Sequence, residues 1–506
     1  MGQIFTNLIS GFSLINPELI LMVALGVAVG IVFGALPGLT ATTAISVFLP
    51  VTFFMAPVTA IGFLLGLYVG GIYGGSVTAI LINTPGTPAS AATALDGYRM
   101  AQNGQAKKAL QTALWASAFG GLLSCIILIF VAQQIANLAV NFAAAEYFWL
   151  GVFGLTIVAS LSSGNMVKGL VSACIGLFIG FIGMDPVNGA LRFTFGNQTL
   201  LKGVQLVPAC IGFFAMGEVL LQMEKFRSAE KNEVGNAVGP RLTFKEFFSH
   251  WWLLLKSSLI GTGVGAIPAT GSTVAAFLAY NNAKRSSKNK ESFGKGNIEG
   301  VVAAESSNNA VTGGALIPLM TLGIPGDTST AVMLGALMIQ GLTPGPMLFQ
   351  NQGPTVYAIF ITMILANILM FVIGNLSVNA YQNVVKIPVR ILQPIVFGLC
   401  VIGTYAINTA ASDVLMMFIF GILSYTMQKF KIPVTPAVLA LILGSMTERY
   451  LRTGLMVKKG NFLAMMNGRW IAYFFVALTI FSIVYAILRE TKPKRDAKKA
   501  QKQQKA

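Results

Sequence analysis

The sequence predicts an all-α polytopic membrane protein made of two inverted-topology repeats with broken or re-entrant helices, about 12 full spans and several shorter segments. Three observations carry that expectation. First, of 506 residues 55% are hydrophobic and 10% charged, with mean hydropathy +0.73. A soluble domain carries roughly 25% charged residues, so this chain cannot cover itself with a wet surface. Second, apolar runs of spanning length recur along the chain. Third, two motifs broken by Pro and Gly each occur twice, in the same order.

The spanning runs lie near 18–36, 58–82, 109–137, 146–162, 167–184, 201–222, 250–267, 300–322, 353–377, 391–409, 412–428 and 470–488. Shorter or interrupted runs lie near 38–56, 84–98, 271–283, 328–345 and 433–446. Irregular backbone at membrane depth is tolerated only where protein buries it or it lines a cavity, so the interrupted runs are the informative ones. The N-terminus lacks a basic region before its apolar segment and reads as uncleaved.

The repeat organises the chain. Residues 30–44 read GIVFGALPGLTATTA and residues 261–275 read GTGVGAIPATGSTVA. Gly30, Gly34 and Pro37 match Gly261, Gly265 and Pro268. Residues 74–87, GGSVTAILINTPGT, match residues 313–328, GGALIPLMTLGIPGDT, pairing Gly74 with Gly313 and Pro85 with Pro325 across one inserted residue. The expected division is a first transmembrane repeat at 1–222, a solvated polar linker at 223–248, a second repeat at 249–488 and a basic cytoplasmic tail at 489–506.

Charge supports opposite orientation of the copies. The net +17 is concentrated in short loops and the tail, where 489–506 holds eight basic residues against two acidic ones. In the first copy Arg99, Lys107 and Lys108 follow the second motif. In the second copy Lys284, Arg285, Lys288, Lys290 and Lys295 follow the first motif. Positive loops stay inside, so the copies should be inverted. Arg449, Arg452, Lys458 and Lys459 fall on the outer side in that count, against the rule. No basic–aromatic interleaving suggests nucleic acid. The basic stretches instead read as cytoplasmic faces touching anionic membrane lipid.

Each Pro-Gly break is followed by small hydroxyl residues where a new helix begins. The candidate substrate-binding residues are Pro37, Gly38, Thr40, Thr42 and Thr43; Asn83, Thr84, Pro85, Gly86 and Thr87; Thr270, Gly271, Ser272 and Thr273; and Pro325, Gly326, Asp327, Thr328 and Ser329. A helix start presents free N–H groups and the positive end of its dipole, which suits an anion. Four such starts meeting near the midplane would hold a carboxylate without a buried Arg. The polar run at 305–310, ESSNNA, adds Ser307, Asn308 and Asn309, or else caps the helix leaving the basic loop. A coupling Na⁺ is expected near Asn308, Asp327 and Thr330, with Asp327 equally readable as a helix cap and Glu305 at the mouth of the same cavity. Asp96, Glu146, Asp185, Glu218 and Asp413 sit near the ends of apolar runs, where capping suffices.

Catalytic signatures are missing: there is no GxSxG, HExxH or Walker A motif, and the single His250 rules out a His-rich metal site. Cys125, Cys174, Cys210 and Cys400 lie in apolar runs and read as small core hydrophobes. No cofactor is expected beyond a coupling ion, Na⁺ or H⁺, and the chain does not read as an enzyme. An intramembrane enzyme, a structural membrane scaffold and a channel are the competing readings.

These same stretches, GALPGLTATTA, YGGSVTAILINTPGTPASAATALDGY and AAESSNNAVTGGALIPLMTLGIPGDTSTAVMLGALMIQGLTPGP, resemble the large membrane subunit (TctA family) of tripartite tricarboxylate transporters. The likeness covers about 15–490. It implies a multi-pass protein of the bacterial inner membrane: an ion-driven importer of tricarboxylates or dicarboxylates. It also implies two partners, a small four-helix membrane subunit and a periplasmic solute-binding protein. The family's glycine-rich motifs map onto Gly34–Thr43 and Gly265–Thr273, and its Pro-Gly segments onto Asn83–Thr87 and Gly323–Thr330. One departure is Pro268-Ala269, where the first copy has Pro37-Gly38; the second hinge should then be stiffer or shifted towards Gly271.

Overall fold

The computed structural model describes residues 2–160, 166–185, 187–225, 239–268, 270–381 and 389–503. Two compact units emerge, Met1–Val140 with Cys210–Leu423, and Asn141–Ala209 with Ser424–Ala506. Each unit draws on both expected repeats rather than coinciding with one of them.

The first unit begins with α1 (Gly2–Phe12), α2 (Pro17–Gly34), α3 (Ala41–Phe48), α4 (Pro57–Ile82), α5 (Ser90–Met100) and α6 (Ala106–Ala139). Local chemistry sets these boundaries. Asn16 caps α2 by accepting from the Leu19 N–H at 2.7 Å, and Pro17 occupies the first turn, where no donor is missed. Asn83 ends α4 in the left-handed region, φ 54°. Helix α2 is apolar on all sides, as a membrane helix is, so no single face orients it. Glycine does instead.

Gly26, Gly30 and Gly34 of α2 face Gly66, Gly70 and Gly74 of α4. A Cβ at Gly30 would stand 2.6 Å from the Leu67 carbonyl, and one at Gly66 2.6 Å from the Val23 carbonyl. Residue numbers rise together along this seam, so α2 and α4 are parallel. The segment 38–56, formed as α3 and a 3₁₀ turn (Leu49–Phe54), therefore runs back between them.

The second half of this unit repeats the pattern. After α9 (Leu206–Cys210), a π turn (Ile211–Met216) and α10 (Gly217–Lys225) come α11 (Phe244–Phe248), α12 (Trp251–Gly265), α13 (Gly271–Ser286), α14 (Ile298–Leu322), α15 (Thr328–Ile339), α16 (Pro346–Asn351) and α17 (Gly353–Ser377). Gly261 of α12 meets the Ser307 carbonyl of α14, and Gly314 meets that of Thr262. Gly323 ends α14 with φ 71°, as Asn83 ends α4.

The packing also corrects the repeat register. Gly74 meets the Ile31 carbonyl and Gly314 the equivalent Thr262 carbonyl, so Gly74 corresponds to Gly314, not Gly313, and no residue is inserted before the second Pro-Gly. On this register Tyr68 is the counterpart of Asn308, and Thr87 of Asp327.

Helix α14 lies between α12 and α6. Gly120 of α6 packs on Ser306 and Gly313 of α14 packs on Ser124, so α6 and α14 are parallel. By contrast, Lys107 reaches Asn379 (3.1 Å), the Trp115 indole donates to Asn375 (3.1 Å), and Asn367 donates to Cys125 (3.6 Å). Helices α6 and α17, which follow the second break of each copy, are therefore antiparallel.

Helices α18 (Val389–Asn408) and α19 (Ala411–Lys429) follow. The second unit holds α7 (Ala144–Ser160), α8 (Met166–Gly180), a two-stranded hairpin (Gly183–Met184 with Leu191–Arg192), α20 (Thr435–Val457), α21 (Phe462–Met466) and α22 (Trp470–Gln503). Tyr147 stacks on Tyr450 at 4.5 Å, and Gly176 packs on the Ala437 backbone.

Among the described residues eight helices are long and apolar enough to cross a membrane. The expected spans near 146–162, 167–184 and 250–267 form helices of 17, 15 and 15 residues, and 300–322 forms the longer, more polar α14. Residues 161 and 162 of the first of these lie outside the described residues. Large apolar side chains such as Leu376, Ile402, Leu415 and Phe481 stay exposed, as contact with lipid requires.

Three readings change. Helix α1 precedes the first expected span. The short run at 433–446 continues as a helix to Val457, carrying Glu448, Arg449 and Arg452. Residues 226–238 of the linker lie outside the described residues, and its end is exposed along most of its length but anchored at two side chains. There Leu242 and Phe247 are buried, the Leu242 N–H donates to Gln111 at 2.9 Å, and Lys108 pairs with Glu246 at 2.5 Å. For the expected tail, the side chains of 489–506 and all of 504–506 are outside the described residues.

Candidate functional site

The break between α2 and α3 turns on Gly38, φ 84°, with Pro37 before it. A Cβ at Gly38 would also meet the flexible end of Gln222, but it is the positive φ that calls for glycine here. Thr40 is extended (φ −120°, ψ 167°) and its hydroxyl accepts from the Thr43 N–H at 3.2 Å, starting α3. The first turn of α3 is buried. There the Thr42 hydroxyl lies 2.8 Å from the hydroxyls of both Thr328 and Ser329, on the first turn of α15. Two helix starts, one from each copy, thus meet in a hydroxyl cluster.

Asp327 opens α15. The Thr330 N–H donates to Oδ1 at 2.8 Å while the Asp327 N–H donates to the Thr330 hydroxyl at 2.9 Å, a reciprocal capping box. The Thr330 hydroxyl also lies 2.8 Å from Oδ1, and the Tyr68 hydroxyl of α4 donates to Oδ2 at 2.5 Å. Both oxygens of this buried carboxylate therefore already receive donors. Pro325 and Gly326 are buried beneath it, with Gly326 against the Gly265 carbonyl.

The other two starts do not join the cluster. Asn83 and Pro85 are exposed and Thr84 half-buried, while Gly86 and Thr87 are buried. Thr87 and Ser90 cap each other: the Thr87 N–H donates to Ser90 Oγ at 3.2 Å and the Ser90 N–H to Thr87 Oγ1 at 3.4 Å. At the α12–α13 break, Gly271 takes the left-handed turn (φ 69°), two positions later than Gly38 does. The hinge is therefore shifted towards Gly271, as expected; Ala269 is outside the described residues. The Thr270 hydroxyl turns back onto the end of α12, donating to the Val264 and Ile267 carbonyls, and does not cap α13. Ser272 and Thr273 are half-buried, and among the described residues neither bonds to hydroxyls of the other copy.

The polar run 305–309 is not a cap, because α14 begins at Ile298 with Asn297 capping it (Glu299 N–H to Oδ1, 2.8 Å). The run occupies the middle of a buried helix. Nor is Glu305 at a cavity mouth: it is 0% exposed and accepts hydrogen bonds from Thr93 of α5 and from Ser117 of α6, the latter at 2.9 Å. Among the described residues, the Ser307 hydroxyl and both amide atoms of Asn308 and of Asn309 are buried without a hydrogen-bond partner. An orphaned buried polar atom costs about 1–3 kcal/mol, which sets these side chains apart from the rest of the buried core.

Sequence reasoning missed Tyr68, Thr93 and Ser117, which lie in ordinary apolar helical stretches. It also underrated Asp96. This buried carboxylate on α5 accepts from the N–H groups of Gly294 (2.8 Å), Gly296 (2.9 Å) and Asn297 (2.8 Å) and from the Tyr280 hydroxyl (2.8 Å). Gly294 and Gly296, φ 82° and 107°, shape the backbone concavity that holds it. Glu146 accepts from the Ala143 N–H (2.9 Å), the capping role expected of it.

In the second unit Asp185 takes both Arg192 and Arg452, and Glu448 pairs with the same arginines at 2.8 and 2.9 Å. Arg452 is thus paired with two acids rather than standing as an unbalanced positive charge. Burial would raise the Asp185 carboxyl, but hydrogen bonds from Arg192, Val187 and Asn188 and the Arg192 charge hold it at about 2. Of the cysteines, three are buried as expected and Cys174 is exposed. Among the described residues no group of three or more His, Cys, Asp or Glu side chains is placed to hold a metal ion.

Broken helices, a buried hydroxyl cluster and buried carboxylates without basic partners define a multi-pass α-helical membrane protein with a polar site among its spans. Comparison with known proteins makes this specific. The chain belongs to the tripartite tricarboxylate transporter TctA family, whose family model matches residues 20–439. It is thus a large transporter subunit, of a family that is not an enzyme family, whose systems include a small membrane subunit and a periplasmic binding protein. A relative from Agrobacterium vitis, an uncharacterized 52.8 kDa protein in the TAR-I ttuC′ 3′ region, is 35% identical over 98% of this chain and 99% of its own. A second, an uncharacterized protein in the TAR-II ttuC′ 3′ region, is 33% identical over 47% of this chain and 97% of its own. No solved structure matches.

Proposed function

We propose that the chain is the permease subunit of an ion-gradient-driven carboxylate importer in the bacterial inner membrane. It works with its small four-helix partner and a periplasmic solute-binding protein. The observation that carries this reading is the meeting of α3 and α15 at Thr42, Thr328 and Ser329. Hydroxyls and helix-start N–H groups donate to a carboxylate without a fixed positive charge, so the substrate's charge is balanced by a co-transported cation, Na⁺ or H⁺. The unpartnered amides of Asn308 and Asn309 supply further donors and acceptors. The antiparallel packing of α6 and α17 supports inverted repeats, and alternating access follows from moving one set of elements against the other.

The test is uptake of labelled di- and tricarboxylates into vesicles holding this chain and its two partners, first with an imposed Na⁺ gradient and then with a proton gradient. Binding-protein-dependent, gradient-dependent accumulation is expected. It should fall roughly tenfold in Thr42→Val, the scale on which one lost polar contact to a substrate acts. Correctly inserted protein that accumulates no carboxylate under either gradient defeats the proposal.

A further inference from the structure

We propose that Glu305, with Thr93, Ser117, Asn308 and Asn309, forms a monovalent-cation site of the kind Na⁺ occupies, distinct from the Asp327 helix start. The inference rests on the ion-coupled reading above and gives its cation a place.

Three observations lead there. Glu305 is fully buried, and among the described residues no basic side chain pairs with it. A lone carboxylate in so apolar a setting must be neutralised by a bound cation or a proton. The neighbouring oxygens suit the cation. The Thr93 hydroxyl meets one Glu305 oxygen and the Ser117 hydroxyl the other, so two hydroxyl oxygens stand beside the carboxyl. The helical spacing then brings Asn308 and Asn309, three and four residues on, to the same face. Asn308 lies beside the carboxylate, as does Ser76 of α4. The amide oxygens of Asn308 and Asn309 are buried and unpaired. A carboxylate, two free amide oxygens and hydroxyl oxygens make the all-oxygen donor set that a hard cation prefers.

Asp327 is the alternative place for a cation, but its carboxylate is engaged as a helix cap by a backbone N–H, which has no lone pair to offer a cation as the hydroxyls on Glu305 have. Oδ1 takes the Thr330 N–H and Oδ2 the Tyr68 hydroxyl. At Glu305 the Asn309 amide has no hydrogen-bond partner among the described residues, and Asn308 lies beside the carboxylate. The second copy alone carries this set: on the corrected register the counterparts of Glu305, Asn308 and Asn309 are Leu65, Tyr68 and Val69.

The experiment uses the full-length chain in lipid nanodiscs, without partner subunits and without any carboxylate. Its thermal midpoint is followed as NaCl replaces choline chloride at constant ionic strength. The wild type should show a saturable, Na⁺-specific rise, because a ligand that binds only the folded state stabilises it. The rise should vanish in Glu305→Gln. In Asn308→Ala and Ser117→Ala the half-saturating Na⁺ concentration should increase roughly tenfold. If Glu305→Gln does not insert, the other two variants decide. An unchanged Na⁺ response in Glu305→Gln, or in both Asn308→Ala and Ser117→Ala, overturns the site. A wild type that responds to pH and not to Na⁺ also overturns it, and makes Glu305 a proton carrier. Na⁺ binding by this chain with no carboxylate flux in the complete system removes the transport reading alone. Gradient-driven flux with Na⁺ binding indifferent to Glu305 removes this site alone.

Discussion

At the second break of the first copy, Thr87 and Ser90 exchange backbone-to-hydroxyl bonds of 3.2 and 3.4 Å. At the matching break of the second copy, Asp327 and Thr330 exchange bonds of 2.9 and 2.8 Å. The glycine before each cap presses on an equivalent carbonyl, Gly34 for Gly86 and Gly265 for Gly326. The backbone problem is the same in both places, and the first copy solves it with a neutral hydroxyl. Thr and Asp are both good helix caps, so capping does not by itself call for a carboxylate. The charge of Asp327 answers to something else: the Tyr68 hydroxyl at 2.5 Å and the hydroxyl cluster at the next two residues.

The sharpest way to break that comparison is Asp327→Thr, which writes the first-copy cap into the second copy. The cap should survive, and uptake should be abolished while insertion into the membrane is normal. Wild-type uptake in this variant would reduce Asp327 to a cap like Thr87.

Tyr68→Phe comes next. It leaves Asp327 Oδ2 buried without its donor, at a cost of about 1–3 kcal/mol, read as a lower unfolding midpoint in nanodiscs. A midpoint equal to wild type would mean that another donor replaces the tyrosine.

Thr87→Ala should cost about 1 kcal/mol, the ordinary value of a lost cap, and leave the affinity for carboxylate unchanged. A change in affinity would give the first-copy break a share in the substrate site.

The smallest effect concerns a carboxylate that, unlike Asp327, is paired with arginines. The Asp185 carboxyl lies at about 2 against an ordinary 3.8. A lowered folded-state value stabilises fully above the unfolded value and is lost as pH falls through the folded one. The hairpin at 183–192 should hold its hydrogen-exchange protection down to about pH 4 and lose it towards pH 2. Protection that is flat across that window would show that the arginine pairs do not hold the hairpin.

The breaks themselves were legible because Pro and Gly announce them: α3, α5, α13 and α15 form where the interrupted runs lie. The hydroxyls at α3 and α15 were legible for the same reason. What the sequence could not show is which starts converge. Thr42 meets Thr328 across 286 positions, and Thr93 meets Glu305 across 212, pairings with no local signature. The Gly313 pairing failed for a related reason: in a run of adjacent glycines, letter matching is degenerate, and only the facing carbonyl fixes the register. Thr270 does not cap α13 because the left-handed turn falls at Gly271 and the Thr270 hydroxyl turns back onto the preceding helix.

The seam between α2 and α4 has a bearing on how far this chain can vary. At Gly26, Gly30, Gly34, Gly66, Gly70 and Gly74 the facing atom is main-chain carbonyl, which no rotamer change on the partner can move aside. A saturation scan of these six positions should therefore return glycine alone, whatever solute is used for selection. Their intolerance would come from steric exclusion and not from any contact with solute.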